Sequence, residues 1–205
     1  MHRLQINQLC VNRGDRVLLS DLSFALCAGE LLHLRGANGT GKTTLLEVLA
    51  GLRRAGSGRI ATEPAELGRH WIGHRNALSP PLSAVENLQF WCGLNGADAS
   101  GVGPALDRLG VPSGARRRPV RTLSAGQKRR SALARLLLAP RPMWLLDEPL
   151  DGLDGGGIAL FADLLAAHLR SGGMVVMTSH QALPAGLPGV RALDLQGMRR
   201  PGRRT

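Results

Sequence analysis

LLHLRGANGTGKTTLLEVLAG, Leu31 to Gly51, is the stretch that decides the fold. An apolar run (Leu31–Leu34) meets a glycine-rich turn, which opens into a helix carrying Leu45, Leu46, Val48 and Leu49. Gly36, Gly41, Lys42 and Thr43 fit the P-loop spacing, with Ala37, Asn38, Gly39, Thr40 and Thr44 completing the segment. Glycines let the backbone wrap a polyphosphate, so that successive N–H groups point inward at its oxygens. A helix that begins near Lys42 adds its positive dipole end to the same anion. Lys42 is expected to reach the β- and γ-phosphates, and the Thr43 hydroxyl to ligate Mg²⁺. The stretch implies binding of a nucleoside triphosphate.

The chain's 205 residues suit one α/β domain with a small insertion. No apolar run approaches the roughly 20 residues that a membrane span needs. Met1–Asn12 alternates and carries Arg3 and Asn7, so it reads as a strand rather than a signal peptide, and the expected location is cytoplasmic. Cys10, Cys27 and Cys92 are scattered, odd in number and without CxxC spacing, which favours idle or buried thiols in a reducing compartment. The formal charge of +11 is concentrated at Arg116–Arg118 and at Arg199, Arg200, Arg203 and Arg204. Neither cluster is interleaved with aromatics. Solvated charge is the first reading for both, anionic lipid headgroups the second for the tail, and nucleic acid the third.

Outward from the P-loop, Leu4–Val11 and Arg16–Leu26 read as two extended segments joined by a turn at Arg13-Gly14-Asp15. The helix after Lys42 stops at Gly51, in position for a left-handed cap, and Arg59–Ala61 reads as another short strand. Ser83 and Glu86 form a capping-box pattern that leads into Asn87–Leu94. From there to Pro119 the sequence is helical in pattern, so residues 78–122 read as a helical insertion between core segments 1–77 and 123–198, with 199–205 a basic tail. Ala125–Leu138 reads as one amphipathic helix, Met143–Leu146 as a buried strand and Ile158–Leu169 as a helix. Met174–Thr178 is a further buried strand and Val190–Leu195 the last. Short strands alternating with helices predict an α/β P-loop NTPase core with strands buried on both faces, preceded by an N-terminal antiparallel β segment.

Two more motifs carry chemistry. Met143–Pro149, MWLLDEP, is an apolar strand ending in two carboxylates, a Walker B arrangement. Asp147 can hold the Mg²⁺ shell, and Glu148 can orient or deprotonate an attacking water. Leu123–Gln127, LSAGQ, places a hydroxyl, a small residue and a glycine at a helix N-terminus, a second anion site. One chain needs one phosphate cradle. The second (Ser124, Ala125, Gly126, Gln127) is expected to serve a nucleotide held by another copy.

LSAGQ resembles the LSGGQ signature of the ATP-binding-cassette (ABC) ATPases, with alanine for the first glycine, and the resemblance covers nearly the whole chain. It implies that Asp147 and Glu148 are the metal-binding and catalytic pair. It also implies that Asp151 and Asp154 of LDGLD line a dimer seam, and that His180 is a switch histidine at the γ-phosphate. Two positions depart from the family pattern. His74 falls where a glutamine that touches Mg²⁺ and water is usual; the readings open for a histidine there are a bond to the water, a solvent-facing side chain or packing alone, rather than the metal contact. Cys10–Leu18 lacks the usual adenine-stacking aromatic, which leaves Arg13 or Arg16 to stack.

The Gly73-His74 pair, LSAVENLQFW (Leu82–Trp91), RTLSAGQKRRSALAR and WLLDEPLDGLD together resemble the ATP-binding subunits of cytochrome c maturation, the haem exporter A family. That resemblance implies an ATP- and Mg²⁺-dependent homodimer on the cytoplasmic face of the bacterial inner membrane. It implies pairing with the membrane-spanning haem exporter subunits B and C, and ATP hydrolysis that drives release of a haem-loaded chaperone. Direct haem binding is not expected, since there is no CxxCH, and nucleic acid is not an expected partner. Leu78, Leu82, Leu88, Phe90 and Trp91 are candidates to line the membrane-subunit groove, or to be core of the insertion. The alternatives are an ABC ATPase of a different transporter, which shares every nucleotide motif, and a soluble ABC ATPase acting on nucleic acid. A P-loop kinase or GTPase has no use for LSAGQ.

Overall fold

The computed structural model describes residues 2–196, so the basic tail at 199–205 lies outside the described residues. The chain opens with β1 (Arg3–Arg13) and β2 (Arg16–Cys27), an antiparallel pair in which Arg13 faces Arg16 across the turn. β3 (Leu31–Arg35) feeds the glycine-rich turn and α1 (Lys42–Leu49) follows it. α1 ends in a Schellman motif: the Leu52 N–H bonds the Glu47 carbonyl and the Gly51 N–H bonds that of Val48. Gly51, at φ +78°, supplies the left-handed residue this closure requires. β4 (Ser57–Glu63) returns to pair with β1, and β5 (Arg69–Ile72) enters the second sheet.

α2 (Ala84–Asn95) starts at Ser83 with both halves of the capping box formed; a 3₁₀ turn leads to α3 (Val102–Arg108), and α4 (Ser113–Arg116) is followed by a second 3₁₀ turn. Next come α5 (Ala125–Leu133), α6 (Arg135–Leu138), β6 (Met143–Leu146), α7 (Gly155–Arg170), β7 (Met174–Thr178) and β8 (Val190–Asp194). The single helix expected over Ala125–Leu138 is therefore interrupted at Ala134. There the Leu137 N–H bonds the Ala134 carbonyl, a tighter i to i+3 turn than an α-helix allows.

The strands form two sheets, an antiparallel one ordered β2-β1-β4 and a parallel one ordered β5-β6-β7-β3-β8. Alternate side chains of the parallel strands enter different apolar clusters. Leu32, Leu34, Met143, Leu145, Met174 and Val176 pack with β1, β2 and the buried face of α1. Leu31, Trp144, Leu146, Val175 and Met177 pack on the other face with α7 and with residues of α2 to α6. Burial on both faces explains why these strands read as unbroken apolar runs. β8, at the edge, is largely exposed.

Apolar contact joins the helical segment to the parallel sheet: Leu88 is fully buried in the second cluster, and Trp91 stacks on His70 of β5 with ring centroids 5.7 Å apart. Leu88 is thus core rather than groove lining. Phe90, 65% exposed, and Leu94 on the same helix face outward.

Candidate nucleotide site

β3 ends at Arg35, and the loop Gly36–Gly41 leads into α1 at the carboxyl edge of the parallel sheet, where ligands of open α/β sheets bind. Gly36 (φ +143°), Gly39 (+79°) and Gly41 (+106°) adopt conformations closed to residues with a Cβ. Gly41 caps α1 without a side-chain acceptor and the first turn of α1 carries no acid, so its leading N–H groups stay available to an anion. Lys42 is mostly buried, and its ammonium turns into the loop, donating to the carbonyls of Gly36 (2.7 Å) and Ala37 (3.3 Å). Thr40 points inward and donates to the Ala37 carbonyl.

A cleft of about 580 Å³ lies over this loop, lined by Asn38, Gly39, Gly41, Lys42, Thr43, Thr44, Asp147, Glu148 and His180, with His74, Asp151, Arg13, Arg16 and Leu18. Residues far apart in sequence therefore meet here. The Thr43 hydroxyl donates to Asp147 Oδ2 at 2.9 Å. One hydroxyl and one buried carboxylate suit Mg²⁺, which takes most of its remaining ligands from substrate phosphate and water. His74 is largely exposed, and its Nδ1 lies 3.9 Å from Asp151 Oδ2. Arg13 and Arg16, from the first hairpin, line the same cleft.

Glu148, 6% exposed, sits at φ +49°, strained for a residue with a side chain. Several bonds hold it there. Its N–H donates to Thr178 Oγ1 (2.8 Å), and that hydroxyl donates to Asp147 Oδ1 (2.9 Å). Its Oε2 accepts the His180 N–H at 2.9 Å. Among the described residues its Oε1 has no hydrogen-bond partner, and it lies 3.6 Å from His180 Nε2. A buried carboxylate oxygen with a free lone pair beside a polyphosphate cradle can accept a proton from water.

Sequence reasoning missed the residue that holds this turn. Arg129, 2% exposed, donates five hydrogen bonds: to the carbonyls of Gly73, Asp147, Glu148 and Pro149, and to Asn76 Oδ1. Burial lowers its pKa to about 10, while Asp151, Asp147 and Glu148 oppose that shift. Arg135 donates to the Ala77 carbonyl, so two arginines from consecutive helices tie down the loop that bears His74. The available signal was position: Arg129, Leu133 and Leu136 fall on one helical face, and all three are buried.

The second cradle lies away from the cleft. Ser124 and Gln127 cap α5 reciprocally, Ser124 Oγ accepting from the Gln127 N–H and Gln127 Oε1 from the Ser124 N–H. Gly126 packs against the loop after Glu148 so closely that a Cβ there would lie 2.8 Å from the Gly152 carbonyl oxygen. Asp154 accepts from the Gly157 N–H as the cap of α7 and pairs with Arg130. Within one chain, therefore, Ser124–Gln127 and Asp154 are not among the residues lining the P-loop cleft.

The family model for ABC transporters matches residues 19–151. The chain is 44% identical, over 95% of its own length and 98% of the relative's, to the cytochrome c biogenesis ATP-binding export protein CcmA of Rhizobium meliloti. It is 47% identical to the CcmA of Methylococcus capsulatus over 83% of its length and 87% of that relative's. The chain belongs to the CcmA family of ABC transporter ATP-binding proteins. As an ABC ATPase it binds and hydrolyses ATP. The fold of this CcmA-family chain matches that of a putative ABC transporter ATP-binding protein from Pyrococcus furiosus, with a TM-score of 0.82 at 22% identity over 97% of this chain and all of that one. It also matches a dimeric bacterial ABC transporter cassette, with a TM-score of 0.78 at 20% identity over 94% of each chain.

Proposed function

We propose that this chain is the ATPase of a c-type cytochrome biogenesis complex, acting as a homodimer at the cytoplasmic face of the inner membrane with the haem exporter subunits B and C. The observation that carries the reading is the pairing of an uncapped, glycine-wrapped helix start with a buried Glu148 whose Oε1 is unpartnered. Lys42 exchanges the Gly36 and Ala37 carbonyls for the β- and γ-phosphates of ATP, and Gly36–Thr44 wrap the triphosphate. Thr43 and Asp147 would hold Mg²⁺, which would offset the charge on the phosphate oxygens. Arg13 and Arg16 lie against the base.

Ser124, Ala125, Gly126 and Gln127 of a second copy close over the γ-phosphate, with Asp151 and Asp154 along the seam. His180 faces the γ-phosphate. Glu148 Oε1 accepts a proton from water as its oxygen attacks the γ-phosphorus, and the bond from phosphorus to the ADP oxygen breaks. Closing and reopening move the helical segment 78–122, and with it the membrane subunits. A name shared with relatives that align over 83% to 95% of the chain supports the cytochrome c assignment over another transported substrate.

Replacing Glu148 with Gln keeps the side chain's shape and removes its basicity. ATP binding is expected to survive, turnover to vanish and a closed dimer to accumulate; undiminished turnover overturns the catalytic assignment. Affinity purification from a membrane extract is expected to retain haem exporter subunits B and C. Recovery of a different permease in their place overturns the biogenesis assignment.

A further inference from the structure

His33 stands among three leucines in the strand LLHLR, which ends in the exposed Arg35, and is only 4% exposed. β3 and β7 pair with His33 opposite Met177, which brings the ring alongside the chain leaving β7. Its Nε2 lies 3.3 Å from the Ser179 carbonyl oxygen, and its Nδ1 accepts from Arg35 Nε, also at 3.3 Å. A guanidinium only donates, so Nδ1 is the bare nitrogen and the ring proton sits on Nε2, where it donates to Ser179. Burial favours the neutral ring, and neighbouring Arg35 acts in the same direction.

The Ser179 carbonyl and the His180 N–H belong to one peptide unit, which is planar. His33 holds that unit by its oxygen, and Glu148 Oε2 holds it by its N–H at 2.9 Å. Fixing both ends of a plane fixes its rotation, and with it the direction in which the His180 side chain leaves the backbone. We infer that His33 is a positioning residue for ATP hydrolysis, clamping the Ser179–His180 peptide so that Glu148 and His180 keep their mutual geometry. The inference rests on the roles proposed above for Glu148 and His180. Released at the oxygen, the peptide can tip, and the His180 N–H then leaves Glu148. ATP binding, which depends on the P-loop, is not touched.

The test is steady-state ATPase kinetics on the purified chain with His33→Leu, His33→Gln, Arg35→Leu and Glu148→Gln. His33→Leu is expected to lower kcat about tenfold with KM for ATP within about twofold. His33→Gln, whose amide still donates to Ser179, is expected to recover most of the loss. Wild-type kcat in His33→Leu, or equal impairment in both variants, overturns the clamp. Should His33→Leu fail to fold, Arg35→Leu at the exposed strand end decides. It frees Nδ1 to take the proton and is expected to lower kcat about twofold or threefold with KM unchanged; unaltered kcat overturns the clamp. Turnover surviving in Glu148→Gln overturns the reading of the site and the clamp with it. An inactive Glu148→Gln beside an unimpaired His33→Leu overturns the clamp alone.

Discussion

Arg129→Met replaces a buried guanidinium by an apolar chain of similar reach, and its effect can be worked from the structure. Five hydrogen bonds are lost, four of them to backbone carbonyls around the Glu148 turn and the loop bearing His74. Bonds from a charged donor contribute about 1.5 kcal/mol or more each, so the gross loss is roughly 7 kcal/mol. Removing the buried charge also relieves the desolvation that holds the guanidinium pKa down at about 10, which offsets part of this loss. The net destabilisation is about 4 kcal/mol, a large part of the ~5–15 kcal/mol that holds a typical domain together. Arg129→Lys keeps a buried charge that reaches at most two of these acceptors, so three bonds are lost without relief of desolvation, and it is expected to lose about 4 kcal/mol. Urea unfolding followed by the fluorescence of Trp144, which is buried against His168, measures both. A loss below about 1 kcal/mol for Arg129→Met would mean that water replaces the guanidinium at no cost, and would refute the account of the turn.

Two further outcomes follow from the packing and from titration. Gly126→Ala puts a methyl 2.8 Å from the Gly152 carbonyl oxygen, and backbone cannot rotate away as a side chain would. It is expected to cost about 1–3 kcal/mol in thermal or urea unfolding and to lower ATPase activity by displacing the Asp151 loop; wild-type stability would show that the two segments separate easily. His70 donates to the Ala139 carbonyl, and burial lowers its pKa to about 4. The unfolded chain therefore binds this proton near pH 6.5, which the folded chain refuses until about pH 4. Stability from this group is complete above pH 6.5 and is lost as pH falls towards 4, by about 3 kcal/mol in all. Urea midpoints at pH 7.5, 5.5 and 4.5 measure the slope; a flat profile between pH 6.5 and 4 contradicts the burial argument.

Much of the parallel sheet was legible because its strands are buried on both faces, which forces apolar runs such as MWLL and MVVMT bounded by polar turns. β5 was harder to find: RHWI is short, carries an arginine and a histidine, and is a strand because β6 pairs with it. The break at Ala134 left no mark on composition. The sequence left Leu88 open between groove lining and core because the apolar residues of α2 are divided between a buried side and an exposed one, and hydrophobicity does not tell them apart.

The sequence by itself determined the P-loop, the acidic pair after β6 and the capped start of α5. Each is a local device whose spacing is set by backbone geometry within a few residues. Only the tertiary structure decided that Arg129 and His33 serve the site. Both act on backbone carbonyls, and carbonyls are the same in every residue, so no side-chain pattern announces which ones a buried donor meets. That choice is made when β3 pairs with β7 and α5 packs under the Asp147–Pro149 turn.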